Sequence, residues 1–149
     1  MYSRILVPVD GGPWSDRALE EAAALALPLG AEIIVLCVAD VFSTVRDGMV
    51  DAARVVEAMR EHARRIVSHA EEVVRRAGAV ARGETAEGAP AEEIVRRARD
   101  CDLVIMASRG KRLLERLLFG SVVHAVLARV DRPVLVVTCR DGGRGEGKA

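Results

Sequence analysis

Two segments far apart in the sequence carry residue types that bind anionic ligands. Asp10 follows the apolar run ILVPV, and the segment from Ala107 to Ser121 reads ASRGKRLLERLLFGS. Within that segment Gly110 stands among cationic residues, and Gly120-Ser121 comes directly before a stretch with helical period. A glycine lets the backbone approach a ligand closely, and the unpaired amide groups of a helix N-terminus attract phosphate. The two segments could form an anion-binding site if the fold brings them together.

The chemistry of each residue suggests a role in such a site. The Ser121 hydroxyl could cap the helix or bind a phosphate oxygen, and Arg109 with the neighbouring cations raises the local positive potential. Asp10 could bind a ribose hydroxyl, or a Mg²⁺ ion that bridges phosphates. The alternative is a turn at Gly110, a simple helix cap at Gly120-Ser121 and solvent-exposed cations. Composition alone favours this alternative.

Length and composition narrow the class of protein. The 149 residues suit a single domain, and because only four residues are aromatic, the core must be aliphatic. The 22 basic and 22 acidic residues balance, which gives no sign of a nucleic-acid partner or an acidic-membrane partner. The apolar runs are too short for a signal-peptide core or a membrane span, so we expect a cytoplasmic protein.

The cysteines and histidines give no sign of a disulfide or metal site. Cys37, Cys101 and Cys139 fall inside or beside predicted strands, which favours buried reduced thiols. The three histidines lack a spacing that would bring metal ligands together.

Short apolar runs alternate with longer segments of helical period. The runs are rich in β-branched residues and do not alternate with polar ones, as expected of parallel strands covered on both faces. Strands are predicted at residues 5–9, 33–38, 80–85, 103–107 and 134–137. The strand at 80–85 is weak by propensity, so we place it at a sheet edge.

Helices are predicted between these strands. The first begins at Pro13 and stops at Gly30, the second ends at Gly78, the third begins at Pro90, and the last covers about residues 121–130. Residues 39–49 lack a clear period and are predicted to be a loop. The domain is expected to span residues 1–140, and the polar segment 141–149 is expected to be a mobile tail.

The predicted fold is α/β: a single open, twisted, parallel five-stranded sheet with helices on both faces. Right-handed crossovers and a chain that returns to add strand four give the order 3-2-1-4-5. The strand order then reverses between strands one and four, and ligands in such sheets bind at this point, beyond the carboxyl ends. Asp10 follows strand one and Ala107 ends strand four, so the topology brings the two segments together.

The chain resembles the universal stress protein family over nearly all of residues 3–138. ATP-binding members carry a pattern of Gly, two residues, Gly, nine residues, then Gly-Ser or Gly-Thr, and Gly110, nine residues and Gly120-Ser121 match it in spacing. The start ILVPVDGGPWSDRAL, together with EGAPAEEIV and RPVLVV, also looks like family segments. The resemblance implies a Rossmann-like fold with the same strand order.

The resemblance also implies the residues of an ATP site. Val9 and Val38 would flank adenine, with backbone groups of Val38 reading its edge, and Asp10 would contact ribose or Mg²⁺. Plain core packing is the alternative for both valine side chains. Ala107 would lie beside the ribose and adenine, and Arg109 could assist the phosphates. The phosphates would be held by Gly110, Gly120, Ser121 and Val122.

Two positions depart from the family pattern. Ala107 stands where the pattern has its first glycine; its methyl group is tolerated if φ is negative, and otherwise obstructs the ligand or strains the backbone. Gly12 stands where members often have serine, and glycine remains acceptable as a helix cap.

By this resemblance the chain is expected to be a nucleotide-dependent regulatory module of a stress response. ATP, with or without Mg²⁺, is the expected ligand, and cyclic AMP is the alternative. The competing functions are a member that has lost nucleotide binding and acts through protein contacts, and a slow ATP hydrolase. No GxxxxGK[ST] motif and no catalytic Ser-His-Asp or Cys-His set is evident, which argues against a dedicated enzyme.

The resemblance further implies a homodimer. The predicted fifth strand lies at a sheet edge, where an exposed apolar strand needs a cover. Pairing with a second copy around a twofold axis would remove that edge. The residues that would pair are Val134, Leu135, Val136 and Val137.

Overall fold

Strands and helices alternate along the chain in the computed structural model, which describes residues 1–45, 48–108 and 120–139. The strands are β1 (Arg4–Pro8), β2 (Glu32–Ala39), β3 (Val80–Glu87), β4 (Leu103–Ser108) and β5 (Val134–Thr138). The helices are α1 (Pro13–Leu29), α2 (Val41–Thr44), α3 (Ala52–Arg76), α4 (Pro90–Ala98) and α5 (Ser121–Arg129). The predicted site residues Arg109 and Gly110 and the predicted tail at 141–149 lie outside the described residues.

The five strands form one parallel sheet in the order β3-β2-β1-β4-β5, which confirms the predicted topology. The register of β1 with β2 runs from Arg4↔Glu32 to Pro8↔Leu36. The weak strand β3 pairs with β2 along its whole length and lies at the edge, as expected. The opposite edge is β5, as also predicted.

Two apolar clusters, one on each face of the sheet, form the core. Successive strand residues point to opposite faces, so Ile5 and Val7 pack with α1 and α3, whereas Leu6 packs with α4 and α5. The neighbouring strand β2 divides in the same way between the two clusters. Since both faces are covered, these strands read as continuous apolar runs.

Helix α1 begins and ends where its local signals indicate. Pro13 occupies its first turn, where a missing N–H costs nothing, and Gly30 closes it in the left-handed conformation with φ of 63°. The Gly30 backbone N–H donates to the carbonyl groups of Ala26 and Leu27. Because the buried face of α1 is largely alanine, the helix can lie close to the sheet.

Helix α3 lies directly over Gly83 of the edge strand β3. A Cβ atom added to Gly83 would overlap Cγ1 of Val67 and Oε1 of Glu71, both on α3. A glycine inside a strand often marks the close approach of another element, and this one does. The contact explains how a strand of weak propensity is held at the edge of the sheet.

Polar contacts tie the edges and ends of the sheet to their neighbours. The Arg97 guanidinium of α4 donates to both carboxylate oxygens of Glu84 on β3, at 2.6 and 2.9 Å. Asp102, just before β4, accepts from the N–H groups of Ser3 and Arg4 at 2.8 and 2.9 Å. These bonds hold the pKa of Asp102 below its ordinary value.

The segment predicted as a loop at 39–49 is partly regular. Strand β2 extends through Ala39, and α2 follows at Val41 because Asp40 caps it, accepting the Ser43 N–H at 3.2 Å. A single helical turn is too short to show an apolar period, so sequence periodicity could not predict it.

The three cysteines are buried and unpaired with one another, as predicted. Burial raises the pKa of Cys37 to about 11, and the negative charge of Asp10 adds to that effect. None of the helices in the described ranges combines the length and apolarity that a membrane span needs.

Candidate functional site

The pairing of β1 with β4 ends before the carboxyl ends of the two strands. Their recorded register covers Ile5↔Leu103 and Leu6↔Val104. Beyond these pairs each strand follows its other neighbour: the Val9 N–H donates to the Leu36 carbonyl of β2 at 2.8 Å, and Ala107 of β4 pairs with Val137 of β5. The helices α1 and α5, which follow β1 and β4, lie on opposite faces of the sheet, and in open α/β sheets the crevice that binds ligands lies at this point, where the strand order reverses.

Asp10 lies at one lip of this crevice in a defined hydrogen-bond network. Its Oδ1 accepts from the Ser15 hydroxyl at 2.9 Å and from the Gly12 N–H at 2.9 Å. Its own N–H donates to the Ser15 Oγ at 3.1 Å.

The turn that carries Asp10 into α1 requires glycine at one position. Gly11 has a φ of +84°, which favours glycine, and a Cβ atom there would stand 3.0 Å from Ile66 of α3. Gly12 is the N-cap of α1 in an extended conformation, as expected for an acceptable cap. The sequence DGG thus lets the chain leave β1, bend beneath α3 and start α1 within three residues.

Ala107 lies within β4, and its backbone is not strained. The one non-glycine residue with positive φ in the described ranges is Asp51, so Ala107 meets the condition under which a methyl group is tolerated. Its side chain is half-buried and packs against the cluster beneath α1 and α3. The added methyl group is thus accommodated by the core on that face.

Gly120, Ser121 and Val122 form the start of α5. Gly120 is the N-cap in an extended conformation, with φ of −61° and ψ of 163°, and as a glycine it has no side chain with which to cap the helix. Ser121 is exposed and is the first helical residue, so its hydroxyl does not serve as the cap. Val122 is half-buried against the cluster beneath α4 and α5.

The first amide groups of α5 are not used by the helix itself. The carbonyl of Gly120 accepts the His124 N–H at 2.9 Å, and the amides before His124 have no partner within the helix. A Cβ atom on Gly120 would meet no heavy atom within 4 Å among the described residues. Since a helix between parallel strands runs back against them, this N-terminus faces the same edge of the sheet as Asp10.

Val9 and Val38 point to opposite faces of the sheet. Val9 is buried in the cluster under α1 and α3, whereas Val38 is half-buried with Ala86 in the other cluster. Both lie at the carboxyl ends of neighbouring strands. Their side chains therefore cannot contact a ligand from the same face, although backbone groups of both lie at the same edge.

The described residues hold no group of three or more His, Cys, Asp or Glu side chains suited to a metal ion. A Mg²⁺ ion at Asp10 would therefore take most of its ligands from phosphates and water. This is the usual coordination of Mg²⁺ in nucleotide sites.

A separate cavity of about 350 Å³ lies between α3 and the ends of β2 and β3. Its lining is formed by Arg60, Ala63 and Arg64 of α3 together with Ala39 and residues 85–87. The Arg60 guanidinium donates to Glu87 across it. No predicted site residue lines this cavity, and no sequence motif indicates it, because it arises from the way a long helix crosses two strands.

Ser15 is the site residue that the sequence prediction missed. It lies in the first turn of α1, five residues after Asp10, and is 5% exposed. The signal that could have found it is a hydroxyl residue one helical turn into α1, where a side chain can reach back to the end of β1.

Comparison with known proteins supports one family. A model of the universal stress protein family matches residues 1–138. A universal stress protein of Methanocaldococcus jannaschii is 32% identical over 140 residues, which covers 92% of this chain and 82% of the relative.

Solved structures share the fold. The structure of a second universal stress protein of M. jannaschii has a TM-score of 0.79 at 29% identity and covers 95% of this chain and 99% of its own. A universal stress protein in complex with cAMP has a TM-score of 0.68 at 24% identity, with 92% and 97% of the two chains covered. At that identity the likeness concerns the fold alone.

Proposed function

Because the chain belongs to the universal stress protein family, we propose that it binds ATP at the carboxyl ends of β1 and β4 and acts as a nucleotide-dependent regulatory module in a stress response. The observation that carries the proposal is the crevice between these strands. An acidic side chain lies at one lip, and a helix N-terminus with glycine as its N-cap faces the same edge. This arrangement suits a ligand with hydroxyl groups at one end and phosphates at the other.

The phosphates would lie at the start of α5. Backbone amides of Ser121 and Val122 and the positive end of the helix dipole favour an anion there. Gly120 presents no side chain to obstruct its approach, and the Ser121 hydroxyl is exposed. Arg109 and Gly110, which lie outside the described residues, are predicted from the sequence to complete this part of the site.

The nucleoside would lie across the ends of β1 and β2. Asp10 would accept a hydrogen bond from a ribose hydroxyl, and backbone groups of Val38 would read the edge of adenine. Val9 and Ala107 pack against the core beneath α1 and α3, so their contribution would be to shape the floor beneath the nucleoside. Cyclic AMP shares the adenine and ribose and is the second nucleotide to test, since a universal stress protein of this fold binds it.

A Mg²⁺ ion bound with the phosphates would neutralise part of their charge. Of the described residues, Asp10 is the acidic side chain placed to contact it. Any hydrolysis would be slow, because no described side chain is arranged as a base for an attacking water.

The protein is further proposed to form a homodimer through β5. This strand lies at the sheet edge, and Leu135 is 43% exposed there. Pairing of Val134, Leu135, Val136 and Val137 with a second copy would satisfy the open backbone edge and cover Leu135. Nucleotide bound at the carboxyl edge could then alter a surface shared by two subunits.

Calorimetric titration with ATP and Mg²⁺ tests the nucleotide site. Wild type should bind, and Gly120→Val should weaken binding by about 10- to 100-fold, the loss expected when charge-assisted hydrogen bonds to phosphate are blocked. Ala89→Val is the matched control, because Ala89 is the exposed N-cap of the neighbouring helix α4. It should bind as wild type does.

Failure of wild type to bind ATP or cyclic AMP would favour the competing function, in which the protein acts through protein contacts alone. Equal weakening in the two N-cap variants would show that the effect of Gly120→Val comes from helix stability and not from the site.

A further inference from the structure

Ser15 is one of two buried polar side chains in the described ranges, and it faces Asp10. Its Oγ donates to the Asp10 Oδ1 at 2.9 Å and accepts from the Asp10 N–H at 3.1 Å. One hydroxyl therefore bonds both the backbone and the side chain of the same residue. Surface Asp residues at strand ends ordinarily rotate freely, and this one is held at two points.

The Gly12 N–H adds a third contact to this group. It donates to the same oxygen, Oδ1, at 2.9 Å, so one carboxylate oxygen receives two donors from different directions. Two donors on one oxygen fix rotation about the terminal bond of the side chain. The start of α1 therefore restrains the orientation of the Asp10 carboxylate.

We propose that Ser15 is a positioning residue that orients the Asp10 carboxylate toward the ribose hydroxyls of a bound nucleotide. This inference rests on the nucleotide site proposed above and assigns one of its residues. Ser15 itself is buried beneath the turn and does not touch the ligand. It acts by removing, before binding, the rotational freedom that Asp10 would otherwise lose on binding.

The expected change in affinity follows from the rotational freedom of the Asp10 side chain. Ordering one side chain at a binding interface costs about 0.5–1.5 kcal/mol, so its loss corresponds to roughly a two- to twelvefold change in affinity. If Ser15 only stabilised the turn, its replacement would weaken the binding of every nucleotide equally. If Ser15 positions Asp10, its replacement weakens the binding only of ligands that contact the carboxylate.

The test compares ATP with 2′,3′-dideoxy-ATP, which lacks the hydroxyls that Asp10 would bind. Ser15→Ala should lower the affinity for ATP about three- to tenfold and the affinity for dideoxy-ATP less than twofold. Ser15→Thr, which keeps the hydroxyl, should retain the preference for ATP. Because the result is the ratio of the two affinities measured for the same variant, a change in the overall stability of that variant does not affect it.

A double-mutant cycle shows whether Ser15 acts through Asp10. In an Asp10→Ala background, Ser15→Ala should change ATP affinity by less than twofold, since there is no carboxylate left to orient. Ser15→Cys, which has similar volume and a weaker donor, replaces the alanine variant if that variant does not fold.

The binding results distinguish the positioning role of Ser15 from the presence of a nucleotide site. Binding of ATP by wild type with no effect of Ser15→Ala, or equal losses for ATP and dideoxy-ATP, overturns the positioning role and leaves the nucleotide site standing. Absence of ATP binding by wild type overturns both.

Discussion

The methyl group of Ala107 is the departure from the family pattern with the most direct bearing on function. In the structure it lies in a regular strand and packs against the core beneath α1 and α3. The backbone at this position therefore does not need glycine. The methyl group would matter only if a ligand had to approach β4 from the core side, which α1 covers.

Replacement of Ala107 by glycine should accordingly change ATP affinity by less than about threefold. It should lower the free energy of unfolding by about 0.5–1 kcal/mol, because glycine within a strand loses more conformational entropy on folding. Calorimetric titration and urea unfolding measure the two effects. If Ala107→Gly binds ATP and wild type does not, the expected small change in affinity is wrong and the methyl group has abolished the site.

Strand β3 depends on its two helical neighbours more than on its own composition. Helix α3 lies over Gly83 on one face, and α4 holds Glu84 through Arg97 from the other. These two contacts lie on adjacent residues. A strand with weak propensity is therefore held at the sheet edge by tertiary contacts.

Gly83→Ala should separate α3 from β3. Glu71 can rotate away from the new methyl group, but Val67 is short and stiff at χ1, so the helix itself must move. We expect a loss of about 1–3 kcal/mol in urea unfolding, the usual cost of overpacking. A double-mutant cycle with Val67→Ala is the control, since that change removes the Cγ1 atom that the new methyl group would overlap, so the two losses should not add. A change of less than about 0.5 kcal/mol in Gly83→Ala would show that the approach of α3 is not close.

The Glu84–Arg97 pair should make stability depend on acid pH. Hydrogen bonds from Arg97 lower the pKa of Glu84 from its ordinary value of 4.5. Because the folded-state pKa is lowered, the stabilisation is complete above the unfolded pKa and is lost as pH falls through the folded pKa.

Glu84→Gln should therefore cost about 1 kcal/mol at pH 7, and the difference from wild type should shrink as the pH is lowered from 5 to 3. Urea unfolding of both proteins across that range measures it. A difference that stays constant with pH would mean that the carboxylate charge is not what stabilises the pair.

The strand order, the edge position of β3 and the ends of α1 could be predicted because local signals determine them. Unbroken β-branched runs indicated covered parallel strands, and Pro13 and Gly30 marked the ends of α1. The turn of α2 and the bonds of Ser15 could not be predicted, since single turns and side-chain geometry leave no periodic signal. Glycine spacing indicated Gly120, but only the backbone showed that Gly120, and not Ser121, caps α5.

The two edge strands of the sheet, β3 and β5, differ in the side chains that they carry. At one end β3 carries charged residues such as Arg82 and Glu84, which discourage pairing with another chain. At the other end β5 reads VLVVT and exposes Leu135. The asymmetry favours β5 as the edge through which two copies associate.

Leu135→Lys should accordingly convert a dimer into a monomer, because a charged side chain at an edge strand opposes pairing. Light scattering should give twice the 16.0 kDa chain mass for wild type and the single chain mass for the variant. Leu29→Lys is the control, since Leu29 at the end of α1 is similarly exposed, at 45%. A monomeric wild type at micromolar concentration would contradict the proposed dimer.

Amide chemical-shift mapping of ATP on the isotope-labelled protein shows where the nucleotide binds. The largest shifts are expected at Asp10, Gly12, Val38, Ser121 and Val122, around the crevice between β1 and β4. Shifts centred on Arg60, Ala63 and residues 85–87, which line the cavity beneath α3, would contradict this placement.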